Sequence, residues 1–518
     1  MKRAGGRLVV PVADRVPPGT PLRAQIYREL RGAILDGRLR PGERLPSTRM
    51  LSAEMSVSRN TTEGAYEQLV AEGYLSRRIG AGTFVASCLP ARPLGAARAA
   101  RRAPAVPTRG LSARGRALAR CLTCSDPQSV RAFGAGFAAL DEFPAALWRR
   151  LTARRLRASD PSLLGYGDPA GYPPLREAIS RYLSESRGVR CRPEDVIVLT
   201  SSLQAISLAA RMVLDPDDAV WIENPFFPGA FSALEAAHAR LHAIPVDGDG
   251  LRVDEGERTA DGARLAYVTP SHQYPTGVTM SLERRLALLE WARRSNAWIL
   301  EDDYDSEFRY EGRPIAAIHG LDRAGRVIYM GTFTKSLFPS IRVAYMVVPP
   351  SLAAPFVHAR RQIDGHTATI PQAVIADFMN DGHFAAHLRR MRAVYRSRRD
   401  ALVETLDREL RGRVRVGPAE GGFQLLVRLD PGENDREVAR RAAAHGIEAT
   451  PLSRYTHGSA EPALVLGYSA LATDAIRAGV RGLARVLHAR RRGSASAVGA
   501  GGPSRPGVPT GNAAAIRG

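Results

Sequence analysis

The sequence predicts an α/β protein built from a small N-terminal helical unit and a large domain of alternating helices and strands. Residues 20–86 carry apolar side chains at a helical period, interrupted by glycine, proline and serine. Residues 121–488 contain short β-branched runs separated by helical segments, a pattern typical of an α/β domain. Residues 87–120, rich in Ala, Arg, Pro and Gly, lack apolar periodicity and are predicted to be a linker. The chain ends are predicted to be a basic extension (residues 1–19) and a disordered basic tail (residues 489–518).

Three helices and a β-hairpin are predicted within the N-terminal unit. The first helix ends at Pro41-Gly42, because proline and glycine interrupt helices. Ser47 and Ser58 are expected to cap the second and third helices, since a serine oxygen accepts hydrogen bonds from the first N–H groups of a helix. Gly80 and Gly82 lie between two short strand-like runs and predict a hairpin. The apolar face of the first helix consists of Leu22, Ile26, Leu30, Ile34 and Leu35.

Three helices followed by a hairpin are the elements of a winged helix-turn-helix, in which the start of the third helix enters the major groove of DNA. Arginine and asparagine pair with guanine and adenine, and small hydroxyls bind phosphates. A three-helix protein-interaction module with exposed arginines is the alternative. The candidate DNA-contacting residues are Arg49, Ser58, Arg59, Asn60, Thr61, Thr62, Arg77 and Arg78.

The segment LRPGERLPSTRMLSAEMSVSRNTTEGAYEQLVAEGYLSRRIGAGTFV resembles the DNA-binding domain of the GntR family of bacterial transcription regulators. The strings LPSTR, SRNT, AYEQL, EGYL and GTFV carry the resemblance together. It implies that the partner of residues 20–86 is a double-stranded DNA operator.

The distribution of charge agrees with a polyanionic partner for one end of the chain. The net charge is +21, but residues 121–488 contribute only +2 of it. Residues 87–120 carry eight Arg and no acidic residue, and residues 489–518 carry five Arg and no acidic residue. A basic end joined to a nearly neutral body indicates one module that binds nucleic acid and one that does not. An arginine-rich surface without a specific partner is the alternative explanation.

Cysteine usage and hydropathy predict a cytoplasmic protein, nucleoid-associated when it is bound to DNA. Four cysteines cannot form a disulfide framework in 518 residues. No apolar run is long enough to span a membrane, and the N-terminus lacks a secretory apolar region. Cys121 and Cys124 form a lone C-x-x-C without a second pair, so we expect no metal site.

Six strands are predicted in the large domain. Because helical segments separate them, parallel pairing is expected. The six runs are VIVLT (196–200), AVWIE (219–223), LAYVT (265–269), WILED (298–302), VIYMG (327–331) and VAYMVV (343–348).

Lysine usage singles out one residue of the large domain. Of the 73 basic residues, only Lys2 and Lys335 are lysines. A primary amine forms a Schiff base with an aldehyde, which a guanidinium cannot do. Thr332, Thr334 and Arg342 surround Lys335 in sequence and offer hydroxyls and a cation to a phosphate group.

A second group of polar residues, Asp302 and Tyr304, follows another predicted strand. The carboxyl ends of parallel strands meet at one crevice, so the two groups can come together there. Pyridoxal 5'-phosphate (PLP) requires this set: an amine for its aldehyde, a carboxylate for its pyridine nitrogen, a hydroxyl for O3′, and a cation with hydroxyls for its phosphate. Taken singly, Asp302 could cap a helix, Tyr304 could belong to the core, and Arg342 could be a surface charge.

Residues from about 125 to 488 resemble the fold-type I aminotransferases, which have a large α/β sheet domain and a small α+β domain. The segments YGDPAGYPPLREAI (166–179), ENPFFPG (223–229) and TPSHQYPTG (269–277) carry the resemblance, with GTFTKSLFPSIR around the lysine. It implies that Phe227 stacks on the pyridine ring and that Ser271, His272 and Gln273 lie near the ring face and O3′. A winged helix joined to such a domain is the layout of the MocR subfamily of GntR regulators, and this implies a homodimer.

Three departures from the family pattern bear on activity. In TSSLQA, Ser201 occupies the place of a glycine in the phosphate turn and Leu203 that of a glutamine; Ser201 and Ser202 remain the candidate phosphate ligands, although a positive φ is costly for serine. Gly229 stands where some relatives have an arginine for an effector carboxylate. The segment ALVLGYS (463–469) lacks the arginine that aminotransferases use on the α-carboxylate, which leaves Arg454 as the nearest candidate.

Three functions are consistent with the sequence. The first is a PLP-dependent transcription regulator that senses an amino-type metabolite. The second is a working aminotransferase with an appended DNA-binding domain, against which the missing arginine argues. The third is a regulator for which PLP itself is the signal, and the missing carboxylate anchors agree with it.

Overall fold

A computed structural model describes residues 21–78, 80–87, 110–120, 132–157, 160–312 and 315–496. The chain divides into two compact units, Met1–Gly110 and Leu111–Gly518, and each is described by itself. The predicted N-terminal extension, the Cys121–Cys124 pair and residues 88–109 of the predicted linker lie outside the described residues.

The smaller unit contains the predicted three helices and hairpin. The side chain of Ser47 accepts a hydrogen bond from the Met50 N–H, and that of Ser58 accepts one from the Thr61 N–H, so both predicted caps are confirmed. The two strands pair in antiparallel fashion, with Leu75 opposite Val85. The elements are α1 (Leu22–Leu35), α2 (Thr48–Glu54), α3 (Arg59–Ala71), β1 (Leu75–Arg78) and β2 (Gly82–Val85).

A small apolar core holds this unit together. Ile26 and Leu30 of α1 pack with Leu51 of α2 and with Tyr66 and Leu69 of α3, and all five are buried. The Tyr66 hydroxyl donates to the carbonyl oxygen of Pro46 at 3.0 Å, so the one polar atom of that side chain is paired inside the core. The helical period read from the sequence therefore identifies the packed face of α1 from Ile26 onward, whereas Leu22 at its start is exposed.

The larger unit has helices on both sides of a central sheet and a second, smaller sheet. Its helices are α4 (Ala113–Arg120), α5 (Ala145–Arg157), α6 (Pro173–Arg187), α7 (Ser202–Val213), α8 (Pro228–Ala236), α9 (Val253–Thr259), α10 (Leu282–Arg294), α11 (Ile318–Leu321), α12 (Phe333–Ser336), α13 (Pro350–Asp364), α14 (Thr369–Asn380), α15 (His383–Leu410), α16 (Asp435–Ala443) and α17 (Thr473–Ser496). Its strands are β3 (Val196–Leu199), β4 (Ala219–Asn224), β5 (Arg240–Asp247), β6 (Gly250–Leu251), β7 (Leu265–Val268), β8 (Trp298–Asp302), β9 (Val327–Thr332), β10 (Ala344–Val347), β11 (Val414–Val416), β12 (Gln424–Leu429), β13 (Thr450–Pro451) and β14 (Ala463–Gly467).

The central sheet has the strand order β3-β10-β9-β8-β7-β4-β5-β6. Strands β9, β8, β7 and β4 pair with one another in parallel, as predicted, and β5 adds to β4 in parallel. Strand β10 is antiparallel to both β3 and β9, so the expectation of parallel pairing was wrong for residues 343–348 and for their pairing with β3. The physical reason is the length of the connection, because a parallel crossover needs about a dozen residues or more and the chain from β9 to β10 is shorter.

The register of the central sheet brings several strand ends to one edge. Leu199, Ala344 and Thr332 form one row across β3, β10 and β9. Asp302, the last residue of β8, is paired with Met330, two residues before Thr332. The residues that follow β3, β8 and β9 are therefore gathered at one crevice, where ligands of such sheets bind.

The second sheet has four antiparallel strands in the order β11-β12-β14-β13. Helix α15 packs on α17 and closes one side of this smaller α+β part. Its buried residues, among them Leu402, Leu406 and Leu464, belong to the same core as Phe308 and Tyr345 of the large sheet region. The two parts of the larger unit thus share apolar packing and are not joined by a loop alone.

Two predicted boundaries differ from the structure. Helix α4 (Ala113–Arg120) lies within the range predicted to be a linker. Helix α17 continues to Ser496, past residue 489 where the disordered tail was predicted to begin. Residues 497–518 of that tail lie outside the described part of the chain. None of the described helices combines the length and apolar character needed to cross a membrane.

Candidate functional site

Lys335 lies on the short helix α12, directly after the end of β9. Its Nζ donates a hydrogen bond to the carbonyl oxygen of Gly136 at 2.5 Å. A Cβ atom at Gly136 would come within 3.0 Å of Nζ, and Gly136 has a φ of +83°, so glycine suits this position in both respects. The amine is therefore held at the crevice edge by the chain segment that leads into the larger unit.

Asp302 ends β8 and is 4% exposed. The Tyr267 hydroxyl donates to its Oδ2 at 2.7 Å, whereas Oδ1 is buried and has no hydrogen-bond partner in the described part of the chain. Burial raises the pKa of Asp302 to about 7. Because an unpaired buried carboxyl oxygen is unfavourable, this position fits a group that brings an N–H or a positive charge, such as a protonated pyridine nitrogen.

Asp303, the neighbouring acid, faces different partners. Arg187 Nε donates to its Oδ2 at 2.7 Å, and the Tyr329 hydroxyl donates to the same oxygen at 2.7 Å. Burial alone would raise the pKa of Asp303, but the charge of Arg187 and these hydrogen bonds outweigh it and hold the pKa below its usual value. Asp303 is thus a structural anion, and Asp302 is the acid left with an unpaired oxygen.

The Tyr304 hydroxyl is fixed by two side chains. It lies 3.0 Å from Nδ1 of His272 and accepts a hydrogen bond from Nε2 of Gln424 at 3.1 Å. His272 Nδ1 also lies 2.9 Å from Oδ2 of Asp305. Burial raises the pKa of Tyr304, so its hydroxyl keeps its proton at neutral pH. Tyr304 and His272, both predicted site residues, are thus brought into contact.

Phe227 belongs to an aromatic cluster that the sequence prediction covered only in part. The ring of Tyr274 packs edge-on against Phe227 at 5.4 Å, and it also contacts Tyr304 at 6.1 Å and Tyr455 at 5.6 Å. Tyr274 stands within the TPSHQYPTG segment, and that position could have drawn attention to it. Tyr455 is held there because its carbonyl accepts the N–H of Phe226 at 2.8 Å.

The other predicted residues of the 269–277 loop are occupied in shaping that loop. Gln273 is buried, and its Nε2 donates to the carbonyl oxygens of Pro225 and Tyr274 at 2.8 and 2.6 Å. Its Oε1 accepts from the hydroxyl of Thr276 at 2.6 Å. The Ser271 hydroxyl accepts from Arg187 Nη2 at 2.7 Å. The side-chain amide of Gln273 is therefore hydrogen-bonded to the loop and its surroundings. Of Ser271, His272 and Gln273, it is His272 that contacts Tyr304.

The residues predicted to bind a phosphate lie at the ends of β3, β9 and β10. Ser201 caps α7 by accepting the Gln204 N–H at 3.2 Å, and its φ of −168° is extended backbone, so the expected strain does not arise. Ser202 begins α7, whose first N–H groups suit an anion. Thr332 caps α12 by accepting the Thr334 N–H at 3.1 Å.

Arg342 stands two residues before β10, next to these hydroxyls in the sheet register. It is exposed, and within the described ranges it forms no hydrogen bond or ion pair. Its φ of +51° lies in the left-handed region, which non-glycine residues adopt only at a cost. A strained backbone at an exposed cation that forms no ion pair in the described part of the chain favours a functional role for Arg342.

The two positions considered for an effector carboxylate differ in available space. A Cβ atom at Gly229 would lie 2.7 Å from side-chain atoms of both Phe227 and Leu203, so a larger residue there would require these two side chains to shift. Arg454 ends a 3-10 helix, Leu452–Arg454, immediately before Tyr455 of the aromatic cluster. Arg454 therefore remains a candidate contact for the effector carboxylate because of its position beside the aromatic cluster.

The candidate DNA surface of the smaller unit contains most, but not all, of its predicted residues. Arg49, Ser58, Arg59 and Asn60 are exposed and Thr61 is half-buried. Thr62 must be removed from the set, because it is fully buried and its hydroxyl donates to the carbonyl oxygens of Thr48 and Arg59.

The two wing arginines are exposed but engaged within the unit. Arg77 pairs with Glu63 at 2.5 Å, and the Arg78 guanidinium lies 4.9 Å from the centre of the Phe84 ring. These contacts fix the hairpin strand β1 and leave both cations at the surface.

Comparison with protein families matches both units separately. Residues 22–85 match the model of the bacterial regulatory proteins of the gntR family, and residues 133–464 match that of the class I and II aminotransferases.

Comparison with individual proteins extends over most of the chain. The probable rhizopine catabolism regulatory protein MocR of Rhizobium meliloti is 41% identical, over 89% of this chain and 93% of that protein. The HTH-type pyridoxine biosynthesis transcriptional regulator PdxR of Corynebacterium glutamicum is 28% identical, over 90% of this chain and 96% of its own length. The structure of the α-aminoadipate aminotransferase LysN from Thermus thermophilus, complexed with N-(5'-phosphopyridoxyl)-L-leucine, is similar with a TM-score of 0.65 and 30% identity, over 70% of this chain and 94% of that one.

We predict that Arg187→Met destabilises the larger unit by about 3–5 kcal/mol at neutral pH, because Asp303 would remain buried and charged without its partner. The double variant Arg187→Met/Asp303→Asn should recover most of the loss. The pKa of Asp303 is lowered in the folded state, so the contribution of the pair is present above the unfolded pKa and is lost as the pH falls through the folded one. Urea unfolding at several pH values measures this, and an unaltered unfolding midpoint for the single variant at neutral pH would contradict it.

Proposed function

The chain belongs to the MocR-type transcription regulators, which join a GntR-family DNA-binding domain to a class I and II aminotransferase domain, and from this membership we propose that it binds PLP at Lys335 and regulates transcription in response to PLP or an amino-type metabolite. The observation that carries the proposal is that Oδ1 of Asp302 is buried and has no hydrogen-bond partner among the described residues. Asp302 ends β8 at the same edge of the sheet at which Lys335 follows β9. The phosphopyridoxyl adduct in the similar aminotransferase structure supports the choice of cofactor.

In this proposal each group of the crevice has one task. Lys335 attaches the cofactor covalently, Asp302 pairs with the pyridine nitrogen, Tyr304 and His272 lie toward O3′, and Phe227 covers the ring. The cofactor, when bound, supplies an aldehyde and an electron-withdrawing ring. The groups proposed for the phosphate are Ser201, Ser202, Thr332, Thr334 and Arg342, together with the first N–H groups of α7.

The chain's own contribution at Asp302 is to hold a proton at a defined atom. Without a partner, burial keeps the pKa of this carboxyl near 7, so it is partly protonated at neutral pH. A cationic ring nitrogen beside Oδ1 favours the charged carboxylate, and the carboxylate in turn keeps the proton on the ring nitrogen. Tyr267 stabilises the same anion through its hydrogen bond to Oδ2.

Two features favour a regulator over a working aminotransferase. Strand β14, in ALVLGYS, contains no arginine for an α-carboxylate, and Gly229 has no side chain that could bind one. Without a fixed carboxylate the bond to be broken is not aligned with the ring, so turnover is slow even where binding occurs. Arg454, beside Tyr455, is the proposed contact for an amino-type effector, and PLP as the signal requires no such contact.

A homodimer is proposed from an exposed apolar face of the larger unit. Tyr166 and Leu164 are 100% and 77% exposed, and the Tyr166 ring contacts His366. Leu203 and Ile363, also exposed, lie together where α7 meets α13. Exposed apolar side chains concentrated in this way are typical of a surface covered by a partner, here a second copy.

We predict that borohydride reduction of the purified protein attaches one phosphopyridoxyl group to Lys335, because the amine is the group able to condense with an aldehyde. Lys335→Ala should abolish the attachment, and Lys2→Ala, which removes the other lysine of the chain, should leave it unchanged. Mass spectrometry of the reduced proteins measures both. Reduced covalent PLP in Lys335→Ala would contradict the assignment.

Asp302→Asn should weaken PLP binding by about tenfold or more, since a one-unit change in the pKa of an interacting group corresponds to a tenfold change in affinity. The cofactor-free variant should melt at nearly the same temperature as the parent, because the replaced carboxyl is already partly neutral there. Titration followed by absorbance gives the affinity, and calorimetry gives the melting temperature. Parental affinity in Asp302→Asn would remove Asp302 from the site.

Arg59→Ala should cost about 1–3 kcal/mol of binding to an operator selected from random DNA, and should relax the sequence preference for that operator over random DNA, if Arg59 reads a base. Arg38→Ala is the matched control, because it removes the same charge from the turn after α1, where Arg38 pairs with Asp36. Electrophoretic mobility shifts on operator and random DNA measure both. Equal losses on the two DNAs would make Arg59 a phosphate contact instead.

A further inference from the structure

A second cavity of about 310 Å³ lies in the larger unit, lined by His272 but not by Lys335, Asp302 or Phe227. Its walls come from the end of α6, the loop after β8, the turn before β12 and one face of α15. The volume is at the lower end of small-molecule pockets in proteins. The cavity is therefore distinct from the position of these three residues of the proposed cofactor crevice, and Ser271 and His272 are the predicted site residues that border it.

Buried polar atoms in this cavity lack partners. Glu307 Oε2 and His272 Nε2 are both buried without a hydrogen bond from the described residues, and the two side chains are 8% and 7% exposed. Arg309 Nε is buried and unpaired in the same region. Buried polar atoms in proteins are almost always hydrogen-bonded, so three such atoms around one space indicate that its occupant is polar.

Charges of both signs surround the same space. Arg309 and Arg392 contribute positive charge, and Glu185 and Glu420 contribute negative charge; none of these four forms an ion pair within the described ranges. Arg187, which also lines the cavity, is already neutralised by Asp303. Burial raises the pKa of Glu307 to about 8, so this carboxyl is largely neutral at pH 7 and can donate a hydrogen bond.

This arrangement selects among ligand classes. A simple anion would meet Arg309 and Arg392 but also the carboxylates of Glu185 and Glu420. A simple cation would meet these carboxylates but also the two guanidiniums, which donate to the Glu307 carbonyl oxygen and the Thr279 hydroxyl but have no anionic partner in the described ranges. A zwitterion satisfies both, because arginine pairs well with carboxylate and glutamate with ammonium. We propose that this cavity binds a small zwitterion of the amino acid class, at a site separate from Lys335, with the carboxylate toward Arg309 and Arg392 and the ammonium toward Glu185 and Glu420.

The position of His272 gives the site a route to the crevice. A ligand at Nε2 determines which ring nitrogen carries the proton, and Nδ1 lies 3.0 Å from the Tyr304 hydroxyl and 2.9 Å from Asp305 Oδ2. A ligand in the cavity can thus change the hydrogen bond between His272 Nδ1 and the Tyr304 hydroxyl. This coupling rests on the proposed PLP function, whereas the binding itself does not.

The test uses N,N-dimethylglycine, a zwitterion whose tertiary amine cannot condense with an aldehyde. Isothermal titration of the full-length protein should show saturable binding of one molecule per chain. Acetate and dimethylammonium each carry only one of the two charges. They should bind at least about tenfold more weakly, because each loses one charged hydrogen-bonded pair with the cavity.

Variants of exposed side chains locate the site without disturbing the fold. Arg392→Gln and Glu420→Gln should each weaken the binding of N,N-dimethylglycine about tenfold or more. Arg396→Gln is the matched control, because Arg396 is exposed on the same helix α15 and does not line the cavity, and it should leave the affinity unchanged.

Three outcomes overturn the proposal: no saturable heat with N,N-dimethylglycine, an unchanged affinity in both cavity variants, or acetate binding as tightly as the zwitterion. Calorimetry measures the binding of N,N-dimethylglycine whether or not borohydride attaches PLP to Lys335. The failure of this proposal is therefore distinguishable from the failure of the proposed cofactor function.

Discussion

The ion pair between Arg187 and Asp303 is the interaction on which the architecture of the crevice depends. Five acidic side chains at the end of strand β8 and in the segment after it are buried in the larger unit: Glu301, Asp302, Asp303, Asp305 and Glu307. Buried carboxylates are unfavourable without compensation. Arg187 neutralises one of them and also donates to the carbonyl oxygen of Ile315 at 2.5 Å and to the hydroxyl of Ser271. One guanidinium thereby ties the end of α6 to the end of β8 and to the 269–277 loop.

Neighbouring acids acquire different roles because successive side chains of an extended chain point in opposite directions. Asp303 faces Arg187 and Tyr329 and is satisfied by the protein alone. Asp302 faces Tyr267 on the other side, where one oxygen is left without a partner in the described chain. Glu301, again on the first side, accepts the N–H groups of Ile318 and His319. The structure thus satisfies the acids on one side and leaves Asp302, the acid proposed to bind the cofactor, with an unpaired oxygen on the other.

The parts of the fold that sequence reasoning predicted are those determined by local physics. Caps at Ser47 and Ser58, and the glycines of the hairpin, act within a few residues, so the three helices and the hairpin of the smaller unit were predicted correctly. The antiparallel direction of β10 was missed because it depends on the length of the connection from β9. Strand β5 was missed because R-L-H-A-I-P-V-D mixes polar residues and a proline with apolar ones.

The site was predictable to the extent that its residues lie in recognisable segments. Lys335, Asp302 and Tyr304 could be named, but Tyr455 and Gly136 reach the crevice from distant parts of the chain. Thr62 was assigned to the DNA surface because the sequence does not show which face of α3 packs on α2. The second cavity could not be foreseen, since Glu307, Arg392 and Glu420 belong to three separate elements.

The near absence of lysine from this chain has a structural explanation, and that explanation supports the role proposed for Lys335. Buried arginines bind several carbonyl oxygens at once: Arg285 donates to those of Met280, Ala316 and Pro270 at 3.0, 2.8 and 2.8 Å. The planar guanidinium, with five N–H donors on three nitrogens, reaches such separated acceptors, whereas the three N–H donors of an ammonium share one nitrogen. Arginine therefore suits the buried cationic positions of this chain better than lysine does. Lys335 instead donates from its Nζ to the carbonyl oxygen of Gly136, a hydrogen bond that does not require a guanidinium fork. What distinguishes an amine from a guanidinium there is its ability to lose a proton and form a covalent bond with an aldehyde, and that is the chemistry proposed for this residue.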